Sequence, residues 1–170
     1  MRLALYQLDM AIAALRAVQQ LKGPADGVLR NFFRENNKLG VNDRTFIADT
    51  VFGVLRHFFS LKYITGTTIP RLLTLAYLAK FRGINLRELK PFITEAEIKQ
   101  LIKIKEMELD SLPLTIRTEF PEWLVEKIQT KMLDTNILAL GLSFQKQAPL
   151  DLRVNTLIAN RNDVLTRLST

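Results

Sequence analysis

The chain has 170 residues, 48% of them hydrophobic, with no cysteine, one histidine and a formal net charge of +7. That composition supports a folded core rather than a disordered chain. It excludes disulfides, thiolate metal centres, a cysteine nucleophile and a histidine-rich metal site within these residues. No run of about 18 uncharged apolar residues occurs, so no spanning helix is expected. Asp9 and Arg16 interrupt the amino-terminal apolar stretch, which reads as an amphipathic core helix of a cytoplasmic protein rather than a signal peptide.

Leu5, Leu8, Ile12, Leu15 and Val18 recur at helical spacing and predict a first helix ending near Lys22-Gly23. Pro24 suits the first position of a second helix with the stripe Val28, Leu29, Phe32 and Phe33. Leu39-Gly40 closes it, with Gly40 expected in the left-handed conformation of a helix end. Asn42 or Asp43 caps a third helix running through Phe46, Ile47, Val51, Val54, Leu55, Phe58 and Phe59. Gly53 inside it costs about 1 kcal/mol of helix propensity relative to alanine, which implies close approach of another helix.

Pro70 opens a fourth helix to about Arg82, stopped by Gly83 and apolar almost all round, hence buried. A short turn at Leu86–Leu89 ends at Pro91. Thr94 and Glu97 then form a capping box for a helix whose buried face is Ile98, Leu101 and Ile102. Leu109–Thr118 has mixed polarity and Pro113, and reads as an extended linker. Pro121 starts a helix with Trp123, Leu124, Ile128 and Met132, and another follows around Ile137–Leu142. From Leu150 to Val154, apolar and polar residues alternate at strand period, and Asn160–Leu168 is helical again. A single strand is no stable sheet, so this end reads as the start of a domain whose other strands are missing.

The expected fold class is therefore mainly α. It comprises a helical domain over 1–108, a linker over 109–119, and over 120–170 a helical connector with the first strand and helix of an incomplete α+β domain. Charge follows this division. Residues 1–92 carry 14 Lys/Arg against 6 Asp/Glu, whereas 93–134 carry 6 against 9 and 135–170 carry 4 against 2. A positive field concentrated in the helical part favours a polyanion such as RNA, with ordinary basic solubility as the equal alternative on charge alone.

Two stretches carry a family resemblance. Leu39-Gly40-Val41-Asn42-Asp43-Arg44-Thr45-Phe46-Ile47-Ala48, continuing to Val51-Phe52-Gly53-Val54-Leu55-Arg56, resembles the NusB-like antiparallel helical bundle at the amino end of Sun/RsmB-type rRNA methyltransferases. Phe120-Pro121-Glu122-Trp123-Leu124 and Ala148-Pro149-Leu150-Asp151-Leu152-Arg153-Val154-Asn155-Thr156-Leu157 resemble the segment joining that bundle to the catalytic body, and the Pro-Leu-x-Leu-Arg-Val-Asn run is the more specific. The sequence departs from the family between Arg56 and Pro121, where no Asn-x-x-Leu-Arg motif occurs.

The resemblance implies methylation of C5 of a cytosine in small-subunit rRNA with S-adenosylmethionine, through addition of a cysteine thiolate to C6. That route requires a thiolate. With no cysteine and no glycine-rich turn after a strand, the expectation is a chain with no catalytic, cofactor-binding or metal residues of its own. It would be inactive alone and would work in cis with a catalytic domain beyond Thr170.

The RNA-contact candidates are Arg30 and Arg34, one turn apart and off the apolar stripe; Lys38 and Arg44 at the next junction; Arg71, Lys80 and Arg82 on the fourth helix; and Arg153 and Asn155 on the expected strand. Guanidinium forks match phosphate oxygens, and several such contacts give salt-dependent, sequence-tolerant binding. Each residue read singly is more simply a solvated surface group. For Arg44 and Arg56 a structural role is as good a reading as RNA contact, with Asp49 a possible partner of Arg56. His57 reads as a surface or edge residue, and Trp123 as a packing anchor. The alternatives are a free-standing NusB-like RNA-binding or antitermination factor, or a helical protein-interaction scaffold.

Overall fold

A computed structural model describes residues 3–20, 22–146 and 151–169. All regular structure among them is helical. Helix α1 (Leu5–Gln19) is the axis of the main bundle and packs against α2 (Ala25–Glu35), α3 (Val41–Arg56) and α5 (Pro70–Ala76). Its buried stripe includes Leu8, Ala11, Ile12, Leu15 and Val18, the i, i+3, i+4, i+7 pattern that turns one helix face inward. Ala11 and Ala14 have no accessible surface, so the neighbouring helices close directly on the α1 backbone.

The α2–α3 junction differs from the expectation. Gly40 has φ −69° and is not left-handed; it is the residue before α3. Asp43 acts from inside the first turn, its carboxylate accepting the Gly40 N–H at 3.3 Å. The expected third helix is also two helices. It stops at Arg56, His57 bends the chain (φ −113°, ψ 29°), and α4 (Phe58–Thr65) begins. Local periodicity runs straight through this break. The freed N–H groups of Phe59 and Ser60 are satisfied from far away by the Glu119 carboxylate, at 2.7 and 3.0 Å.

Helix α5 starts at Pro70 as expected and buries Leu73, Thr74, Leu75 and Ala76. Over Tyr77–Phe81 it widens into one π-type turn, where the Arg82 N–H reaches back to the Tyr77 carbonyl. That turn lays Tyr77 on α3 at Gly53, where an added Cβ would lie 2.0 Å from Tyr77 Cζ. The close approach expected at Gly53 is thus made by a ring rather than by a backbone. Gly83 ends the segment with φ +73°. After the short α6 (Leu86–Leu89) comes α7 (Glu95–Glu106), opened by the expected capping box: Thr94 Oγ1 accepts the Glu97 N–H, and Glu97 accepts the Thr94 N–H. Its buried face is Leu101 and Ile104, whereas Ile102 is exposed.

Residues 109–119 are not an extended linker. A single 3₁₀ turn at Leu109–Ser111 leads to α8 (Leu114–Thr118), which packs on both α4 and α10. Pro113 stands just before α8, where its missing N–H costs nothing. Helices α9 (Glu122–Gln129) and α10 (Asp134–Gln145) complete a small second cluster with Val125 and Ile137 buried. Gly141 lets α10 close on α8, since a Cβ there would lie 2.6 Å from the Thr118 backbone. Trp123 is no anchor: it is 63% exposed, and Val125 takes the inward position.

The expected strand is not formed. Its first residue, Leu150, lies outside the described residues; Asp151–Asn155 has no regular structure and Thr156–Ile158 is a turn. A strand is stabilised by a paired neighbour, and none of the described residues supplies one. Helix α11 (Arg161–Leu168) follows, capped by Asn160 Oδ1 on the Asn162 N–H, and buries no residue. Among the described residues, no helix is long and apolar enough to cross a membrane.

Candidate functional site

Helix α2 carries a narrow apolar stripe. Leu29 is buried and Phe32 and Phe33 pack on the core, which leaves Arg30 and Arg34 in solvent one turn apart. They line a cleft of about 340 Å³ together with Lys22, Pro24, Gly27 and Asn31. None of its lining residues is acidic. A Cβ built at Gly23 or Gly27 would meet nothing within 4 Å, so the backbone there is bare to a ligand. Sequence reasoning misses Lys22. Its position beside Gly23-Pro24 is visible along the chain, but its place across from Arg30 and Arg34 depends on how the α1–α2 turn folds.

Lys38 lies beyond the end of α2 and lines a second cleft of about 460 Å³ between α1 and the α2–α3 turn. Tyr6, Asp9 and Met10 line one side, and Glu35 and Asn36 join Lys38 on the other. Tyr6 donates its hydroxyl proton to Asp43 Oδ1, and Gln7 Nε2 donates to the same oxygen at 2.7 Å. These bonds, the Tyr6 hydroxyl first, hold the Asp43 carboxyl below its ordinary pKa, while the Tyr6 phenol is pushed up by the same partner. The aspartate of the Asp43-Arg44 pair therefore ties α1 to α3.

Four other candidates are engaged within the fold. Arg44 donates to the carbonyls of Leu39 (2.9 Å) and Asn37 (3.3 Å), sealing the end of α2. Arg71 grips Glu97 through two bonds (2.6 and 3.2 Å) and also donates to the Phe92 carbonyl. Lys80 donates to the carbonyls of Lys105 (2.7 Å) and Met107, capping α7. Arg82 lies 4.8 Å from the Phe46 ring centroid and donates to Thr50 Oγ1. Arg153 and Asn155 line a separate depression with Val154 and Leu157, and the Asn155 side chain accepts the Leu157 N–H. The fold thus brings Arg30 and Arg34 to one cleft, puts Lys38 on a second, and leaves the other six elsewhere.

His57 is not a surface residue. Its ring stacks on Phe81 at 4.1 Å, Nδ1 is buried without a partner among the described residues, and burial lowers its pKa to about 4. Arg56 and Asp49 form no ion pair among the described residues. No group of three or more His, Cys, Asp or Glu side chains that could hold a metal occurs among them either.

Residues 120–170 match the family model of the ferredoxin-like domain of RsmF/RsmB-like methyltransferases. No curated protein and no solved structure matches the chain. The match supports a Sun/RsmB-family rRNA methyltransferase origin for this part, and coincides with the Phe120–Leu124 and Ala148–Leu157 stretches that carry the more specific resemblance. It does not reach the helical bundle.

Proposed function

We propose that these residues form the RNA-recognition and positioning region of an S-adenosylmethionine-dependent rRNA (cytosine-C5) methyltransferase acting on small-subunit rRNA. The family match over 120–170 carries the methyltransferase part of this reading. Arg30, Arg34 and Lys22 around one cleft, with Lys38 on a second, support the RNA part: each of these cations can neutralise a phosphate. NusB-like character of the bundle belongs to the same proposal and rests on the Leu39–Arg56 resemblance.

Catalysis is assigned to a domain outside these 170 residues. Cytosine C5 chemistry by this route needs a thiolate, and the chain has no cysteine. The described residues do not fit S-adenosylmethionine, since no strand, glycine-rich turn and helix follow one another among them. The contribution of this region is to hold and orient RNA, and every bond-making step falls to the other domain.

The test is binding of the 170-residue chain to small-subunit rRNA fragments across a salt series. Replacing Arg30, Arg34 and Lys38 together by alanine is expected to lower the log–log salt slope by roughly 2 to 3. Arg71→Met, which breaks the Glu97 grip, leaves the slope unchanged and lowers the melting temperature. Salt-independent binding, or an unchanged slope in the triple variant, refutes the proposal. A protein-interaction scaffold would bind no RNA even at low salt.

A further inference from the structure

The cleft between α1 and the α2–α3 turn has a composition that phosphate binding does not explain. Its volume, about 460 Å³, is in the range of small-ligand sites. Two carboxylates, Asp9 and Glu35, face a cleft that also holds Lys38. Phosphate would be repelled by the first two. Met10 supplies apolar surface, and Tyr6 is 48% exposed while its hydroxyl is pinned by Asp43. A tyrosine fixed at its far end and open along its ring is a preorganised stacking surface. The Asn36 amide is also fixed, its Nδ2 donating to the Phe32 carbonyl at 2.9 Å, which leaves its oxygen as an acceptor.

We propose that this cleft is a nucleobase site, and that it selects an unpaired guanine. The inference rests on the RNA-binding reading above. Guanine alone among the four bases presents two adjacent N–H donors on its Watson–Crick edge, and a carboxylate accepts both at once. Adenine would set its N1 lone pair against the carboxylate; cytosine and uracil each offer one donor beside an acceptor. Glu35 is the carboxylate assigned to this role. Neither carboxylate forms an ion pair among the described residues, but Asp9 lies near enough to Arg71 to add, after Glu97, to the negative charge around that guanidinium, whereas Glu35 directly follows Arg34 in the chain. Arg34 and Glu35 are consecutive residues that line the two clefts, so a strand with a phosphate at Arg34 has its next base within reach of Glu35 and Tyr6.

The experiment uses short fluorescent oligoribonucleotides on the 170-residue chain at low salt. The probes are an all-adenine strand, the same strand with one guanine, and the same strand with inosine in that position. A single guanine is expected to tighten binding roughly tenfold over all-adenine, and inosine, which lacks the exocyclic amine, to lose most of that gain. Glu35→Gln abolishes the guanine-to-adenine ratio while the all-adenine strand still binds, and Asp9→Asn leaves the ratio as it was. Melting curves of both variants confirm that each is folded. Equal binding of the guanine and adenine strands overturns the base site while leaving the phosphate surface standing. A guanine preference that survives in E35Q also overturns it. Absence of binding by every strand overturns both readings together.

Discussion

Glu119 reaches back 60 residues to Phe59 and caps the start of α4 with its carboxylate, 2.7 Å from the Phe59 N–H. It does so from a left-handed backbone (φ 56°), a conformation that disfavours a non-glycine residue by about 1–2 kcal/mol. The same carboxylate accepts the Ser60 N–H, and Ser60 Oγ donates to the Ile116 carbonyl. These three bonds join the bundle to the α8–α10 cluster.

Removing this cap with Glu119→Ala should destabilise the protein by about 1 kcal/mol, the usual scale for a lost helix cap. Glu119→Gln keeps one acceptor oxygen and should cost less. Burial outweighs the hydrogen bonds and pushes the Glu119 carboxyl above its ordinary pKa. A carboxyl raised in the folded state takes up its proton there before the unfolded chain does. The protein therefore gains stability relative to E119Q as the pH falls through the raised value toward the ordinary one. Melting temperatures of the pair across the weakly acidic range check this; a difference that does not change with pH would contradict it.

Two glycines separate a soft contact from a hard one. At Gly141 an added methyl meets the Thr118 backbone, both Cα (2.6 Å) and carbonyl oxygen (2.8 Å), so a helix must move. At Gly53 it meets the far end of the Tyr77 ring, which can swing aside, and the helix recovers about 1 kcal/mol of propensity. Gly141→Ala should therefore lie at the upper end of the roughly 1–3 kcal/mol typical of overpacking, and Gly53→Ala near the lower end. Adding Tyr77→Ala should make the Gly53 change nearly neutral or favourable in a double-mutant cycle. Equal losses in the two single variants would show that the Tyr77 ring is as rigid as backbone.

His57 should remain neutral well below its ordinary titration. Its pKa falls from 6.5 to about 4, from burial first and from the nearby Arg56 charge second. A base depressed in the folded state is protonated first in the unfolded chain. Its contribution to stability is complete above about pH 6.5 and declines as the pH falls toward about 4. An NMR titration of the ring reads the pKa directly. His57→Phe keeps the stack on Phe81 and removes the orphaned Nδ1, so it should be neutral or stabilising and should flatten this part of the pH profile.

The helical stripes of α1, α2 and α3 are readable because burial on one face repeats every three or four residues. The Thr94–Glu97 capping box is readable because both partners sit within one turn. The basic surface is half readable: Arg30 and Arg34 stand off the α2 stripe by spacing alone. Their separation from Arg44, Arg71, Lys80 and Arg82 is not, because the Leu39 carbonyl, Glu97, the α7 carbonyls and the Phe46 ring occupy those cations from other parts of the fold. The nucleobase cleft is invisible for the same reason, since Tyr6 and Glu35 meet only when α1 lies against α2.

By itself, the sequence determined that these residues are mainly helical, that the larger part of their positive excess precedes residue 93, and that no cysteine thiolate lies among them. It also carried, in the residues after Phe120, the family that the comparison supports. Only the tertiary structure decided where the third helix breaks, which arginines stay in solvent, and that residues 109–119 bind the two clusters together instead of spacing them apart. The division is physical. Periodicity and local caps are interactions within a turn or two and are written along the chain. The partner of an orphaned N–H, as Glu119 is for Phe59, comes from whichever segment packing brings alongside.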